Sequence, residues 1–302
     1  MFKGSITALI TPFRGGEVDW KAFDNLVEWQ VQEGTHAVVP CGTTGECPTL
    51  SHDEHNAIVR RCVDVVKGRI PVIAGSGSNC TREAIDLTRN AKEAGCDGAL
   101  IVTPYYNKPT QDAMIAHFTA IHDAVDLPIV LYNIPGRSVV DMSVSTMAQL
   151  AKLPNIIGVK DATGDLYRPS RTRVEIGPDF CQLSGDDTTA CAFLAQGGVG
   201  CISVVSNVAP RLCAQMQEAW ESRDLETMFD LRDRLALLAS DLFCESSPAP
   251  VKYAASVLGL CSDEVRLPLI PASEAARAKV DAAMKHAGIY PAAGSQAAAV
   301  RG

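Results

Sequence analysis

Eight short apolar runs, each closed by a turn signal and followed by a helical stretch, constrain this chain more than any other feature. They are ITALITP (6–12), AVVPCGTTGE (37–46), IPVIAGSGS (70–78), GALIVTPYYN (98–107), PIVLYNIPGR (128–137), IIGVKDATG (156–164), FCQLSGDD (180–187) and GVGCISVVSN (198–207). Their first halves carry little polar alternation, which suits parallel strands buried on both faces. Strand–helix units at intervals of roughly 20–35 residues predict an α/β fold on a parallel sheet. A closed (β/α)8 TIM barrel is favoured over an open doubly wound sheet for two reasons. The runs number eight, and no G-x-G-x-x-G follows the first of them.

The intervening segments read as amphipathic helices. Trp20, Phe23, Val27 and Val31 share a face at helical spacing, as do Ala84, Leu87, Thr88 and Ala91. Ser51 and Glu54 form a capping-box pattern that starts a helix just after GTTGECPTL. Beyond Asn207 the strand signals stop. Residues 209–243 read as helices, with Met228, Leu231, Leu235, Leu238 and Leu242 as one stripe, and more helix is predicted near 247–258 and 273–287. The expected organisation is a barrel over 1–224, a C-terminal helical subdomain over 225–290 and a flexible tail over 291–302.

Composition narrows the function classes. The 302 residues are 47% hydrophobic, enough for one full-sized core, and the net charge of -8 with no basic tract argues against a nucleic-acid partner. No apolar run approaches the ~20 residues of a membrane span, and the N-terminal segment lacks a secretory pattern, so a soluble, cytoplasmic protein is expected. The eleven cysteines are scattered without C-x-x-C and read as small hydrophobes in a reducing compartment.

Barrel enzymes build their active sites at the C-terminal ends of the strands, and this sequence gathers polar residues there. Lys160 interrupts an apolar strand. A desolvated lysine loses its proton readily and can then attack a carbonyl; the alternative is an ion pair with Asp161 or another rim acid. Tyr132 at the fifth strand end can relay protons, or simply pack with its hydroxyl on backbone. Thr43-Thr44 between glycines offers two hydroxyls and backbone N–H groups for a carboxylate, or an ordinary turn. Arg137 can clamp a second carboxylate, or sit solvated on the surface. His52 and His55, three apart, have a spacing compatible with metal ligation, but no third ligand follows and none is expected.

In combination, Gly42-Thr43-Thr44-Gly45-Glu46, Tyr132-Asn133-Ile134-Pro135-Gly136-Arg137 and Gly158-Val159-Lys160-Asp161 followed by Gly164-Asp165 resemble the dihydrodipicolinate synthase and N-acetylneuraminate lyase superfamily. The resemblance covers about residues 3–290 and is strongest to the 4-hydroxy-tetrahydrodipicolinate synthase family. It implies an enzyme that condenses pyruvate with L-aspartate 4-semialdehyde through a Schiff base, with no metal or organic cofactor. Carried over residue by residue, it implies Lys160 as the imine-forming lysine and Tyr132, Thr43 and a neighbouring subunit's Tyr106 as a proton relay. Thr44 with the backbone of Gly185 and Ile202 would hold pyruvate, and Arg137 the semialdehyde carboxylate. A homo-oligomer follows, usually a tetramer. His52, His55, Asn79, Glu83 and Tyr105 match polar positions of the pocket through which some members respond to L-lysine, although Cys47-Pro48 replaces smaller residues there. Two other readings stay open: a pyruvate-dependent aldolase acting on a sugar acid, and a catalytically silent sensor of 2-oxo acids.

Overall fold

The computed structural model describes residues 2–291, so the tail expected over 291–302 lies, from 292 onward, outside them. Each apolar run supplies one strand: β1 Gly4–Ala8, β2 Ala37–Val39, β3 Ile73–Gly75, β4 Gly98–Val102, β5 Ile129–Asn133, β6 Ile156–Asp161, β7 Cys181–Ser184 and β8 Gly200–Ser203. They form one eight-stranded sheet whose spatial order is β2-β1-β8-β7-β6-β5-β4-β3, with every pairing parallel. A bridge between Val38 and Val72, with Val38 N–H donating to Pro71 O at 3.0 Å and Gly75 N–H to Pro40 O at 3.0 Å, joins β2 to β3 and closes the barrel. Closure leaves no sheet edge to protect.

The strands stop well short of the runs that predict them. The run 37–46 yields only Ala37–Val39, because Cys41 (φ 55°) and Glu46 (φ 57°) take the left-handed conformation and fold GTTGE into a loop. A small antiparallel hairpin, Phe13–Arg14 against Glu17–Val18, is an addition not read from the sequence. Its turn uses Gly15 and Gly16 at φ 62° and 87°, where a side chain would be strained.

Helices cover the barrel as expected. α1 (Trp20–Gln32) buries Phe23, Leu26, Val27 and Gln30, so its inner face is rotated from the predicted one: Trp20 lies at the exposed edge. α2 (His52–Val66) carries the predicted capping box, with Glu54 N–H on Ser51 Oγ at 3.2 Å and Ser51 N–H on Glu54 Oε2 at 2.9 Å. α3 (Thr81–Glu93) buries Ala84, Leu87, Thr88 and Ala91 as read from the spacing. After β8, helix Pro210–Glu221 completes the ring, and Leu225–Asp241, Ala249–Val257 and Glu274–His286 follow. Leu231, Leu235, Leu238 and Met284 from these last helices share one continuous apolar core with Val205, Val208 and Cys213 of the barrel. A separate inner core of Ile6, Val39, Ile73, Leu100, Val130, Leu183 and Ile202 fills the barrel, as branched side chains do in this fold. All eleven cysteines are unpaired. No helix among the described residues is long and apolar enough to cross a membrane.

Candidate active site

Sheet register brings the two sharpest sequence features together. Tyr132 of β5 is the direct partner of Lys160 in β6, and Lys160 in turn faces Leu183 of β7. Neighbours in register point to the same side of a sheet, here into the barrel. Lys160 and Tyr132 are each only 6% exposed, and the Lys160 Nζ stands 4.2 Å from the centre of the Tyr132 ring.

The ion-pair alternative for Lys160 fails on geometry. The Asp161 carboxylate is taken by the buried Arg168, whose Nε lies 2.8 Å from Oδ2, while Thr163 donates to Oδ1 from both N–H (2.9 Å) and Oγ1 (2.6 Å). Among the described residues Lys160 forms no ion pair. Burying an amine without a counter-ion costs solvation that no pairing returns.

Around it stand the strand-end loops. Gly185 donates its N–H to Asp161 O at 2.7 Å, and a methyl group placed on it would meet Lys160 Cε at 3.1 Å. Ile202 is fully buried on β8 in the same inner layer as Tyr132. The GTTGE loop is a tight turn: Gly45 N–H bonds Gly42 O at 3.0 Å, Glu46 N–H bonds Thr43 O at 3.1 Å, and Thr11 Oγ1 donates to Gly45 O at 2.7 Å. Thr44 is buried and Thr43 half-buried within it. The loop sits against β3 so closely that a Cβ on Gly75 would fall 2.3 Å from Cys41 O.

Two predicted site residues stand apart from this buried layer. Arg137 is exposed, on the single helical turn Pro135–Ser138 that follows β5. Tyr106 is 89% exposed at φ 72°, so one chain does not bring its phenol to Lys160.

Four of the five residues of the predicted effector pocket, His52, His55, Glu83 and Tyr105, converge with Cys47 and Pro48 on a cleft of about 310 Å³, while Asn79 stands outside its lining. His52 Nε2 lies 2.8 Å from Glu83 Oε1, and Ser78 Oγ donates to Glu83 Oε2. The Ser78 hydroxyl and then His52 hold the Glu83 carboxyl below the usual range. His55 instead turns inward, Nε2 at 2.8 Å from Gly75 O, and burial pushes its imidazolium pKa down. Asn79 Nδ2 donates to Tyr105 O at 3.1 Å. The two histidines therefore point to different partners.

Sequence reading missed several groups that shape the rim. Lys252 is fully buried in an ion pair with Glu46, and Arg266 bridges Glu54 to the backbone of Thr49 and Gly16. The signal for Lys252 was the same as for Lys160: a lone lysine in an apolar stretch, Ala249-Pro250-Val251-Lys252-Tyr253-Ala254-Ala255. Arg168, at the start of the helix Arg168–Ile176, gave no comparable signal, since an arginine in a polar stretch is usually solvated.

Comparison with known proteins agrees along the whole length. A family model described as the dihydrodipicolinate synthetase family matches residues 1–287. The 4-hydroxy-tetrahydrodipicolinate synthase of Rhodospirillum centenum is 67% identical over 289 residues, 96% of this chain and 99% of that protein. The crystal structure of the chloride-inhibited dihydrodipicolinate synthase from Acinetobacter baumannii complexed with pyruvate superposes with a TM-score of 0.93 at 46% identity, covering 96% of this chain and 100% of that one. The enzyme from Cyanidioschyzon merolae with lysine bound gives a TM-score of 0.92 at 39% identity, covering 95% and 99%. Matches that run end to end at these identities lead to one assignment: the chain belongs to the dihydrodipicolinate synthetase family.

Proposed function

We propose that this protein is a lyase that condenses pyruvate with L-aspartate 4-semialdehyde to 4-hydroxy-tetrahydrodipicolinate, in the cytoplasm, on the route to diaminopimelate and lysine. The observation that carries the chemistry is Lys160: buried, without a counter-ion, and in register with Tyr132. The neutral amine adds to the pyruvate ketone and water leaves, giving a protonated imine. That imine is an electron sink, so a methyl proton departs and an enamine forms. The enamine carbon adds to the semialdehyde aldehyde, and the substrate amine then displaces Lys160 as the ring closes.

Tyr132 and Thr43 move the protons, together with a Tyr106 supplied by a second copy of the chain. The outward placement of Tyr106 supports that arrangement and with it a homo-oligomer, of which a tetramer is the expected form. Thr44 and the backbone at Gly185 and Ile202 receive the pyruvate carboxylate. Arg137, exposed at the rim, meets the carboxylate of the incoming semialdehyde. Residues 1–224 act as the barrel and 225–290 as a helical subdomain.

The effector cleft is proposed to take L-lysine, with Glu83 pairing the ligand ammonium. Glu83 holds one partner on each oxygen, His52 on Oε1 and Ser78 on Oε2, and a carboxylate has further lone pairs to accept the ligand ammonium. Unchanged turnover at millimolar L-lysine refutes this part alone.

Borohydride trapping with pyruvate, followed by peptide mass spectrometry, tests the core of the reading. A reduced pyruvyl adduct on Lys160 that diminishes when semialdehyde is added is the expected result. An adduct indifferent to semialdehyde points to an aldolase with another acceptor, and no adduct on Lys160 refutes the mechanism.

A further inference from the structure

The rim of the barrel contains a second buried lysine that the reaction does not use. Lys252, on the helix Ala249–Val257, forms an ion pair with Glu46, and both side chains are fully buried. Its Nζ also donates to Glu264 O at 2.7 Å and stands 4.0 Å from the centre of the Phe13 ring. The other Glu46 oxygen accepts the Arg266 N–H at 3.0 Å. The Glu264 carboxylate in turn takes the N–H groups of Gly15 (2.8 Å) and Gly16 (2.6 Å) in the hairpin turn after β1. One centre therefore ties together the loop after β1, the GTTGE loop after β2 and the C-terminal segment.

Stability alone is a poor account of this arrangement. Desolvating two charges offsets most of what their attraction gains, and apolar isosteres often do as well. What an ion pair adds is a defined position. Glu46 needs one, since it holds a left-handed φ of 57° that costs about 1–2 kcal/mol in a residue with a Cβ. It lies two residues from Thr44, and its N–H bonds the Thr43 carbonyl at 3.1 Å, so any shift of Glu46 passes into both threonines.

We infer that the Lys252–Glu46 pair is a positioning device, through which the C-terminal helical segment sets where the Thr43–Thr44 loop stands relative to Lys160. This rests on the proposed role of those threonines in holding pyruvate. Burial pushes the Lys252 pKa down, so the charge on its amine depends on Glu46. The pair is thus a unit: removing one partner strands the other.

The test uses the full-length protein with two variants. Glu46→Gln combined with Lys252→Met removes both charges at nearly constant volume and avoids a stranded ion. Glu46→Asp keeps the charge but shortens its reach by one methylene. Each is measured for kcat and KM for pyruvate, and for hydrogen exchange in peptides covering 42–50 and 156–161. The expected result for both is a pyruvate KM raised about 10-fold or more. Exchange should be faster in 42–50 and unchanged in 156–161, with Lys160 still trapped at saturating pyruvate. A KM and loop exchange equal to wild type in either folded variant overturns the inference. Should the wild-type protein itself form no pyruvate adduct, the synthase reading fails, while the loop exchange still decides whether the pair anchors 42–50.

Discussion

Gly185→Ala is the substitution whose consequences the structure specifies most closely. The backbone at 185 is not in the left-handed region, so an alanine is locally permitted and the whole effect comes from contacts. The new methyl would lie 2.8 Å from Ala162 Cβ, 3.1 Å from Lys160 Cε and 3.2 Å from Asp161 O. Ordinary carbon contacts are about 3.5 Å or more, so the first is short by about 0.7 Å and the second by about 0.4 Å. The two neighbours respond differently. Ala162 is pinned by its N–H on Asn133 O at 2.9 Å and yields only with its backbone, an overpacking that costs about 1–3 kcal/mol. Lys160 has a flexible stem and yields by moving its amine. A misplacement of 1 Å can cost about 100-fold, so a few tenths should slow imine formation by roughly 5- to 10-fold. The assay is the rate of borohydride-trapped pyruvyl adduct at Lys160, with urea unfolding alongside. Adding Ala162→Gly removes the first clash and leaves the second, so the double variant should regain stability but not rate. A trapping rate equal to wild type in Gly185→Ala, or full recovery of rate in the double variant, would falsify the claim that Gly185 leaves its space for the Lys160 side chain.

Other outcomes follow from the same structure. Gly75→Ala should drive the Cys41 carbonyl off β3, displacing the Thr43–Thr44 loop and raising the pyruvate KM at least several-fold; a KM equal to wild type in steady-state assays counts against that packing. Asp161→Asn removes the nearer of the two carboxylates that face the buried Arg168, leaving Asp141 at 3.6 Å, and should lower unfolding stability by about 1.5–3 kcal/mol in urea titration. Glu54, held at about 2 first by its bonds with Arg266, contributes stability that is complete above its ordinary pKa and is lost as pH falls from about 4.5 toward about 2. With both side chains partly solvated, that contribution is about 1–2 kcal/mol. The stability gap between wild type and Arg266→Gln should therefore be widest above about pH 5 and narrow on acidification by that amount; a pH-independent gap refutes the assignment.

Much of this was legible in one dimension. Periodicity announced the parallel strands, because a strand buried on both faces has no polar alternation to display. The capping box marked the start of the second barrel helix, since its two bonds join residues only three apart. Lys160 stood out because a charge in an apolar run conflicts with burial and invites a chemical explanation. Local signals also have limits. Trp20 matched the helical stripe yet lies at an exposed edge, since which arc faces inward depends on what packs there.

The sequence by itself determined the number and kind of elements and the residue types available at the strand ends. Only the tertiary structure decided which of them meet. The register of β5 against β6 puts Tyr132 beside Lys160, 28 positions further along the chain. Arg168, not Lys160, answers the Asp161 carboxylate. Glu46 finds its partner some two hundred residues away in Lys252. Spacing encodes contacts made within one helix or strand, where the chain's own geometry carries a side chain to its neighbour. Contacts between elements depend on how the closed barrel brings strand ends together, and no local pattern carries that information.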